Sequence, residues 1–308
     1  MMEAMVSITE SIQPAIAHAR RILFEPFSAR KWFLLGFSAF LAHLGGGGGS
    51  FNYNGNPFDR SSSGATPDFS PVTTWISEHL PLVIALAVVF FILMLALAVV
   101  FQWLSSRGQL MFLDGVVRNQ ADIVEPWTRL RHLGNDVFRF RIMLMLATLA
   151  LFLVCGGLGA LIALPDIHAR TFGGAAIAGV LVGCGLLILG ILVLSLIGAL
   201  LHDFVVPIMY HRELSVAAAW QVLRHELLPG HGWQFVGFYL MYILLWIGAT
   251  LLMLLGCCLT CCIAILPYIS SVVFLPIFVF FRCYALEFLA QFGEGWRIIQ
   301  VPEPLVES

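Results

Sequence analysis

Six long apolar stretches recur along the chain, and the polar segments between them carry most of the charged residues. The hydrocarbon core of a bilayer is about 30 Å thick, so a helix needs roughly 20 apolar residues to cross it. The pattern therefore predicts six transmembrane helices. Their predicted bounds are 32–48, 80–104, 142–164, 173–201, 235–264 and 269–289.

The first and the last of these spans are the weaker predictions. The first is short and runs into the glycines at 45–49. The last contains Pro276, which lacks a backbone N–H and is expected to kink or split the helix. A cleaved signal peptide is the alternative interpretation of residues 1–42, because Ala39 and Ala42 are spaced like a cleavage site.

The composition agrees with a membrane protein. The chain is 60% hydrophobic and 11% charged, whereas a soluble domain is about 25% charged. We therefore expect residues 1–308 to form a single polytopic membrane domain. The net charge of −2 argues against a nucleic-acid partner.

The basic residues fall on alternate sides of the predicted spans. Of the 16 Lys and Arg residues, only Arg60 and Arg170 lie in the odd-numbered loops. The positive-inside rule then places both termini and the even loops in the cytoplasm, in a plasma (inner) membrane. Residues 45–79 are rich in Gly, Asn and Ser and are expected to form a flexible extracytoplasmic loop, and 293–308 a cytoplasmic tail.

Three segments share a common spacing, which predicts an internal repeat. Each segment begins at a residue type that is favoured at a helix N-cap. These residues are Ser11, Asp122 and Ser215. The last two also share the string W-x-x-L-R-H, at 127–132 and 220–225. The predicted units, about 8–105, 119–202 and 212–290, each contain a cytoplasmic amphipathic helix followed by a transmembrane hairpin. The fold class is therefore all-α integral membrane, with three hairpins.

The helices that open these units carry arginine on their polar faces. In the first, Ile12, Ile16, Ala19 and Leu23 follow helical spacing and predict the apolar face. A helix of this kind lies in the headgroup layer with its arginines toward lipid phosphates. The alternative is a loop helix that packs on the rest of the domain. The arginines expected to contact headgroups are Arg20, Arg21, Arg131 and Arg224.

One stretch carries a resemblance to a known group. The string RELSVAAAWQVLRH at 212–225, followed by GWQFVGF at 232–238, resembles the membrane domain attached to some glycerophosphodiester phosphodiesterases. Uncharacterised six-span prokaryotic membrane proteins are similar. The resemblance covers mainly residues 205–290 and implies a helical membrane fold with surface helices. It does not imply phosphodiesterase activity, which in those enzymes belongs to a separate soluble barrel domain.

Four clustered cysteines are the weak candidate for a metal site. On a straight helix, Cys257, Cys258, Cys261 and Cys262 form one stripe. Such a stripe cannot surround zinc tetrahedrally at about 2.3 Å. We therefore interpret them as packing residues and expect no cofactor, unless the helix breaks here.

Ionisable residues at membrane depth are functional hypotheses, and in this chain they concentrate near the predicted cytoplasmic ends of the spans. One hypothesis is a polar cluster that binds lipid headgroups or lines an inner vestibule. Its members are Arg107, Asp114, Asp203, Arg282 and Glu287. The alternative is snorkelling and local pairing of each residue.

Two small residues in the fourth predicted span indicate a close contact with another helix. Gly179 and Gly183 form a small-xxx-small pattern, which lets two helices approach closely. The partner helix is expected within the same chain, and a homodimer seam is the alternative.

For function, the leading hypothesis is a non-enzymatic membrane protein that binds lipids or a partner protein at its cytoplasmic face. The alternative is a transporter or channel subunit for a neutral solute or lipid, because broken spans often mark transport sites. An intramembrane enzyme comes third and requires His43, Asp203 and Glu287 to converge. The sequence does not identify the substrate, the partner or the oligomeric state.

Overall fold

The computed structural model describes residues 9–25, 27–44, 79–120, 122–169, 173–259 and 267–299, and these ranges contain helices and no strand. Two π-helical turns, Leu201–Val205 and Leu223–Leu227, and a 3-10 turn, Glu294–Trp296, interrupt or follow the α-helices. The α-helices are α1 Ile12–Phe24, α2 Ala29–His43, α3 Leu80–Arg118, α4 Val124–Arg129, α5 Arg131–Ala169, α6 Gly174–Leu200, α7 Val206–Arg212, α8 Val216–Val222, α9 Gly232–Leu259, α10 Pro267–Val273 and α11 Leu275–Ala290.

Within the described ranges, four helical segments are long and apolar enough to cross a membrane. They are Leu80–Arg118, Arg131–Asp166, Gly174–Arg212 and Gly232–Gly256. Only 0% to 6% of their most apolar stretches is buried, as expected of surfaces that face lipid. The four middle spans of the sequence prediction are therefore confirmed as long apolar helices.

Neither of the two weaker spans is among these long apolar helices, and six spans are not confirmed. α2 has 15 residues and packs against the part of α3 that follows its predicted span. Ser105 Oγ donates to Ala42 O at 2.7 Å, and a Cβ on Gly115 would lie 2.6 Å from Leu35 Cδ2. Because residues 80–104 already exceed the length that a bilayer requires, α2 lies beside the end of that span.

The sixth predicted span is split into two helices. α10 ends at Val273, and α11 starts at Leu275 with Pro276 in its first turn. This break confirms the prediction made from Pro276. A proline is tolerated in the first turn of a helix, where its missing N–H has no intrahelical partner.

The buried core lies at one end of the long helices, and we call it the basal core. It contains α1, α2, α7, α8 and α11, together with the C-terminal ends of α3 and α6 and the N-terminal ends of α5 and α9. The buried ends alternate between C-terminal and N-terminal along the chain, which is the pattern of helices that alternate in direction. Aromatic packing fills the centre, where Phe238 stacks on Tyr284 with ring centroids 4.9 Å apart.

The glycine pattern of α6 packs against α5 within the chain. A Cβ on Gly159 would lie 2.9 Å from Gly179 O, and one on Gly183 would lie 3.1 Å from Cys155 O. Gly179 and Gly183 are buried. The intramolecular interpretation is therefore confirmed, and these glycines do not offer a free seam to a second copy.

The three segments of the predicted repeat share one burial pattern. Their buried positions, four and eight residues after Ser11, Asp122 and Ser215, are Ala15, Pro126, Ala219, Ala19, Leu130 and Leu223. The arginines at the next position, Arg20, Arg131 and Arg224, are all exposed. This is the pattern of three segments that pack on the basal core and leave a polar face exposed.

Ser11 and Ser215 are the N-cap residues of α1 and α8, as predicted, whereas the N-cap residue of α4 is Ile123 and not Asp122. Ser215 Oγ accepts from the Ala218 amide at 3.4 Å. The Ser11 hydroxyl instead accepts from Gln291 Nε2 at 2.6 Å, and α4 begins after Ile123 without a side-chain cap from Asp122. A tertiary hydrogen bond has displaced the local one at Ser11.

Candidate functional site

A cavity of about 420 Å³ lies in the basal core between α2, the end of α6, α9 and α11. We call it the arginine pocket. Its walls combine aromatic rings with six polar side chains from four parts of the chain. The polar lining residues are His43, His202, Asp203, Tyr239, Tyr242 and Arg282.

Arg282 supplies the central charge of the pocket. Arg282 is only 4% exposed, and its Nη1 donates to His202 O at 2.8 Å. Within the described ranges Nη2 has no hydrogen-bond partner, and no carboxylate oxygen comes within 4.0 Å of the guanidinium nitrogens. A buried guanidinium without an opposite charge within ion-pair distance is costly, so this group needs a structural or functional explanation.

The π-helical turn at Leu201–Val205 places two further polar residues in the pocket. Its widened backbone is visible where the Val206 amide donates to Leu201 O, one residue beyond α-helical spacing. His202 and Asp203 lie in this turn and line the cavity. Single π turns inside α-helices occur frequently at functional sites.

A second buried guanidinium, that of Arg141, is connected to the pocket through hydrogen bonds. Arg141 is buried and donates to Ser105 Oγ at 2.9 Å and to Gln109 Oε1 at 2.7 Å. Gln109 is in turn hydrogen-bonded to His202 Nδ1. Arg141 is thus held by neutral partners, and its positive charge is not cancelled by them.

Asp203 is the carboxylate of this pocket, and it does not form an ion pair with Arg282. It is buried, and its Oδ1 lies 4.0 Å from His202 Nε2. With the histidines neutral, two guanidiniums and one carboxylate leave the region with an excess of positive charge.

The five residues predicted to form one polar cluster fall into separate places. Asp203 and Arg282 lie together in the arginine pocket. Glu287 instead lies 2.8 Å from His18 Nδ1 and joins α11 to α1. Because His43 and Asp203 share the pocket without Glu287, the three residues required for an intramembrane enzyme do not converge.

Asp114 and Arg107 have structural partners outside the pocket. The Asp114 carboxylate accepts from Tyr210 Oη at 2.6 Å, lies 3.2 Å from Arg118 Nε and also binds Arg129. It thereby joins the end of α3 to α4 and α7. The Arg107 guanidinium carbon lies 4.4 Å from the Trp103 ring centroid and 5.0 Å from that of Trp127, a cation–π arrangement.

The four arginines predicted to contact headgroups are all exposed. Arg20 has a loose pair with Glu25, at 3.6 Å. Arg21, Arg131 and Arg224 form no ion pair with any residue that the structure describes. Their charges are therefore free to interact with an external anion.

An apolar groove of about 560 Å³ runs between α1, α9 and α11, with Arg20 among its lining residues. Ile16, which was predicted on the apolar face of α1, is 51% exposed and lines this groove. Leu244 and Leu252 of α9 form part of the opposite wall and also face outward. The groove thus continues into the apolar surface of a long helix.

The cysteine cluster lies mostly outside the described residues. Cys257 and Cys258 end α9, but their side chains are outside the description, as are Cys261 and Cys262 entirely. Among the residues described, no group of three or more His, Cys, Asp or Glu could hold a metal ion.

Sequence reasoning did not single out Arg141, Gln109 or Tyr239. Arg141 directly precedes an apolar run, where a basic residue ordinarily snorkels toward the headgroups. No local pattern distinguishes it from the exposed Arg139 two positions earlier. The π turn likewise has no signal in the sequence.

Comparison with known proteins gives one match. A model described as a family of unknown function (DUF7544) matches residues 6–270, from before α1 to within α10. No curated protein and no solved structure matches the chain. Nothing in these comparisons links it to the membrane domains of glycerophosphodiester phosphodiesterases.

Proposed function

The chain belongs to this family of unknown function, and we propose that it is a non-enzymatic, multi-pass membrane protein that binds lipid at its cytoplasmic face. The four long apolar helices support the membrane assignment. The excess of arginine in the basal core supports a cytoplasmic position for that end, in a plasma (inner) membrane. A partner protein on the same basic face is the other form of this proposal.

The groove beside Arg20 is the observation that carries the lipid assignment. It combines an apolar floor of Ile16, Leu23 and Ile277 with a guanidinium among its lining residues. A phospholipid has the same division, since its acyl chain is apolar and its phosphate is anionic. The groove continues into the exposed face of α9, so an acyl chain enters it without leaving an apolar surface.

The other arginines extend this basic face. Each exposed Lys or Arg near an anionic membrane contributes about 1 kcal/mol of attraction. Arg21, Arg131 and Arg224, on three different helices of the basal core, together with Arg20, are sufficient for a clear preference for anionic lipid. That preference is measurable even though the protein is already inserted.

The test replaces Arg20, Arg21, Arg131 and Arg224 together with Glu. The protein is reconstituted in an equal mixture of phosphatidylglycerol and phosphatidylcholine, extracted in native lipid discs, and its lipids are counted by mass spectrometry. We expect the wild type to enrich phosphatidylglycerol and the variant to lose this enrichment. The matched control replaces the same four residues with Lys, which keeps the charge and is expected to keep the enrichment.

Equal phosphatidylglycerol content in the wild type and the glutamate variant would show that the role is wrong. Before the lipids are counted, a cooperative thermal unfolding transition verifies that each variant is folded. A protein that co-purifies with the wild type and is lost from the glutamate variant would favour the partner-protein form.

A transporter or channel subunit for a neutral solute or lipid is the second candidate, and one observation favours it. The break between α10 and α11 lies close to the arginine pocket, which includes Phe278 and Phe281 of α11. Broken helices beside a cavity occur in transporters. Flux of a solute or lipid by the wild type in proteoliposomes, absent from empty liposomes, would support this role, and its absence for all tested solutes and lipids would count against it.

A further inference from the structure

We propose that the arginine pocket is a binding site for an oxyanion, a phosphate or carboxylate group, held by the guanidinium of Arg282. This site is distinct from the four surface arginines and does not depend on the role proposed for them. Its ligand reaches it from the membrane side of the basal core.

The charge balance of the pocket is the first argument. Arg282 and Arg141 are both buried, and the bonds they form go to a carbonyl, a hydroxyl and an amide oxygen. Asp203 is the only carboxylate among the described residues that line the cavity. An anionic ligand compensates the second guanidinium, which otherwise remains buried without an opposite charge.

The open hydrogen-bond capacity is the second argument. Arg282 Nη2 is buried and has no hydrogen-bond partner within the part of the chain that the structure describes. Buried donors are satisfied in almost all native structures. A guanidinium matches the geometry of phosphate and carboxylate oxygens and binds them more strongly than it binds neutral acceptors.

Tyr239 supplies a second donor in the same cavity. Its hydroxyl is buried and forms no hydrogen bond of ordinary geometry with the described residues, but it makes a weaker hydrogen-bonding contact with the Asp203 carboxylate. The cavity of about 420 Å³ lies within the range of small-molecule sites, roughly 300–1,000 Å³. It therefore accommodates a headgroup-sized anion.

The position of the pocket indicates how a ligand enters. Ala199 of α6 and Ile243 and Trp246 of α9 form one wall, and Ile243 is 56% exposed. Leu196, Leu240 and Leu244 around this wall are also exposed. Because these residues belong to the lipid-facing surface of the long helices, an amphiphile can place its anionic group in the pocket while its chain stays in the bilayer.

A lipid headgroup and a free ion share this chemistry, so the test uses both. Thermal unfolding of the purified full chain in detergent is followed with inorganic phosphate, with phosphatidylglycerol, or with diacylglycerol, which lacks an anionic group. We expect saturable stabilisation by phosphatidylglycerol and none by diacylglycerol. Stabilisation by inorganic phosphate as well identifies a free oxyanion as sufficient, and stabilisation by phosphatidylglycerol alone identifies the lipid headgroup.

Two variants assign the response to the pocket. Arg282→Gln is expected to raise the half-saturating concentration by about tenfold, because it removes a charge-assisted donor. Tyr239→Phe removes only a hydroxyl and is expected to raise the half-saturating concentration about fivefold. If Arg282→Gln does not fold, Tyr239→Phe decides the question.

Two controls separate this site from other effects. Tyr268→Phe removes a hydroxyl that donates to Phe33 O at 3.3 Å, outside the pocket, and is expected to respond like the wild type. The variant with Glu at the four surface arginines is expected to keep the pocket response, so failure of the surface role and failure of the pocket are distinguishable. Equal stabilisation by diacylglycerol and phosphatidylglycerol, or wild-type responses in both pocket variants, would overturn the proposal.

Discussion

Asp114 shows at the scale of single residues how a buried charge serves the structure. Its carboxylate binds Arg118, Arg129 and Tyr210, so its charge is compensated from three sides. Arg282 differs because, among the residues that the structure describes, its buried guanidinium has one carbonyl partner and a nitrogen, Nη2, without a hydrogen-bond acceptor. The contrast between a satisfied and an unsatisfied charge is the reason to look for a ligand at Arg282 and not at Asp114.

We predict that Asp114→Asn lowers the stability of the basal core by about 3 kcal/mol, because breaking a buried ion pair leaves its partners without compensation. The free energy of unfolding is measured by denaturant titration in detergent. Asp136→Asn is the matched control, since the one ion pair of Asp136 within the described part of the chain is an exposed pair with Arg139 at 3.5 Å. Asp136→Asn is expected to lower the free energy of unfolding by less than about 1 kcal/mol. Equal decreases in the two variants would contradict a structural role for Asp114.

At the scale of elements, close backbone contact and aromatic packing hold different helix pairs together. α5 and α6 approach through Gly159, Gly179 and Gly183. α9 and α11 are joined instead by large rings, with Phe238 against Tyr284 at 4.9 Å and Tyr242 against Phe281 at 4.8 Å. Because the rings lie between the two backbones, α9 and α11 cannot approach as closely as α5 and α6 do. The arginine pocket lies beside these rings, and Tyr242 and Phe281 line it.

We predict that Gly179→Leu separates α5 from α6 and lowers the unfolding temperature. An added Cβ would already lie 3.1 Å from Ala163 N, and overpacking of this kind costs about 1–3 kcal/mol. Gly185→Leu on the same helix is the control, because no atom of the described residues lies within 4 Å of its added Cβ. Thermal unfolding of both variants in the same detergent checks the prediction, which fails if Gly185→Leu is as damaging as Gly179→Leu.

At the scale of the whole molecule, one end is polar, buried and arginine-rich, and the other consists of exposed apolar helices. This asymmetry places the candidate sites together, since the groove beside Arg20 and the arginine pocket both lie in or next to the basal core. It also makes orientation in the membrane testable, because the basal core is expected in the cytoplasm.

We predict that a cysteine at Gln221 is protected in intact cells, whereas a cysteine at His168 reacts. Gln221 lies in α8 of the basal core, and His168 lies at the far end of α5; both residues are exposed. The measurement uses a membrane-impermeant thiol reagent on a variant in which the seven native cysteines are replaced. Gln221→Cys should react only after permeabilisation, and the reverse pattern would invert the orientation.

Parts of this architecture follow from local sequence. The four long helices, the break at Pro276 and the glycine contact at Gly179 were all predictable, because hydrophobic length, a missing N–H and a missing side chain act where they occur. The N-cap at Asp122 was not, because α4 starts after Ile123. Ser11 does occupy the N-cap position of α1, but its hydroxyl bonds to a tertiary partner and not to the first turn.

The sequence by itself therefore determined the class of protein, its four long apolar helices and the arginine-rich character of the segments between them. Only the tertiary structure decided that α2 packs beside the end of α3, that Glu287 pairs with His18, and that Arg141 and Arg282 are buried while Arg20 and Arg224 are exposed. The reason is physical. The apolarity of a segment is a sum over its own residues, whereas the burial of one arginine depends on side chains that come from distant parts of the chain.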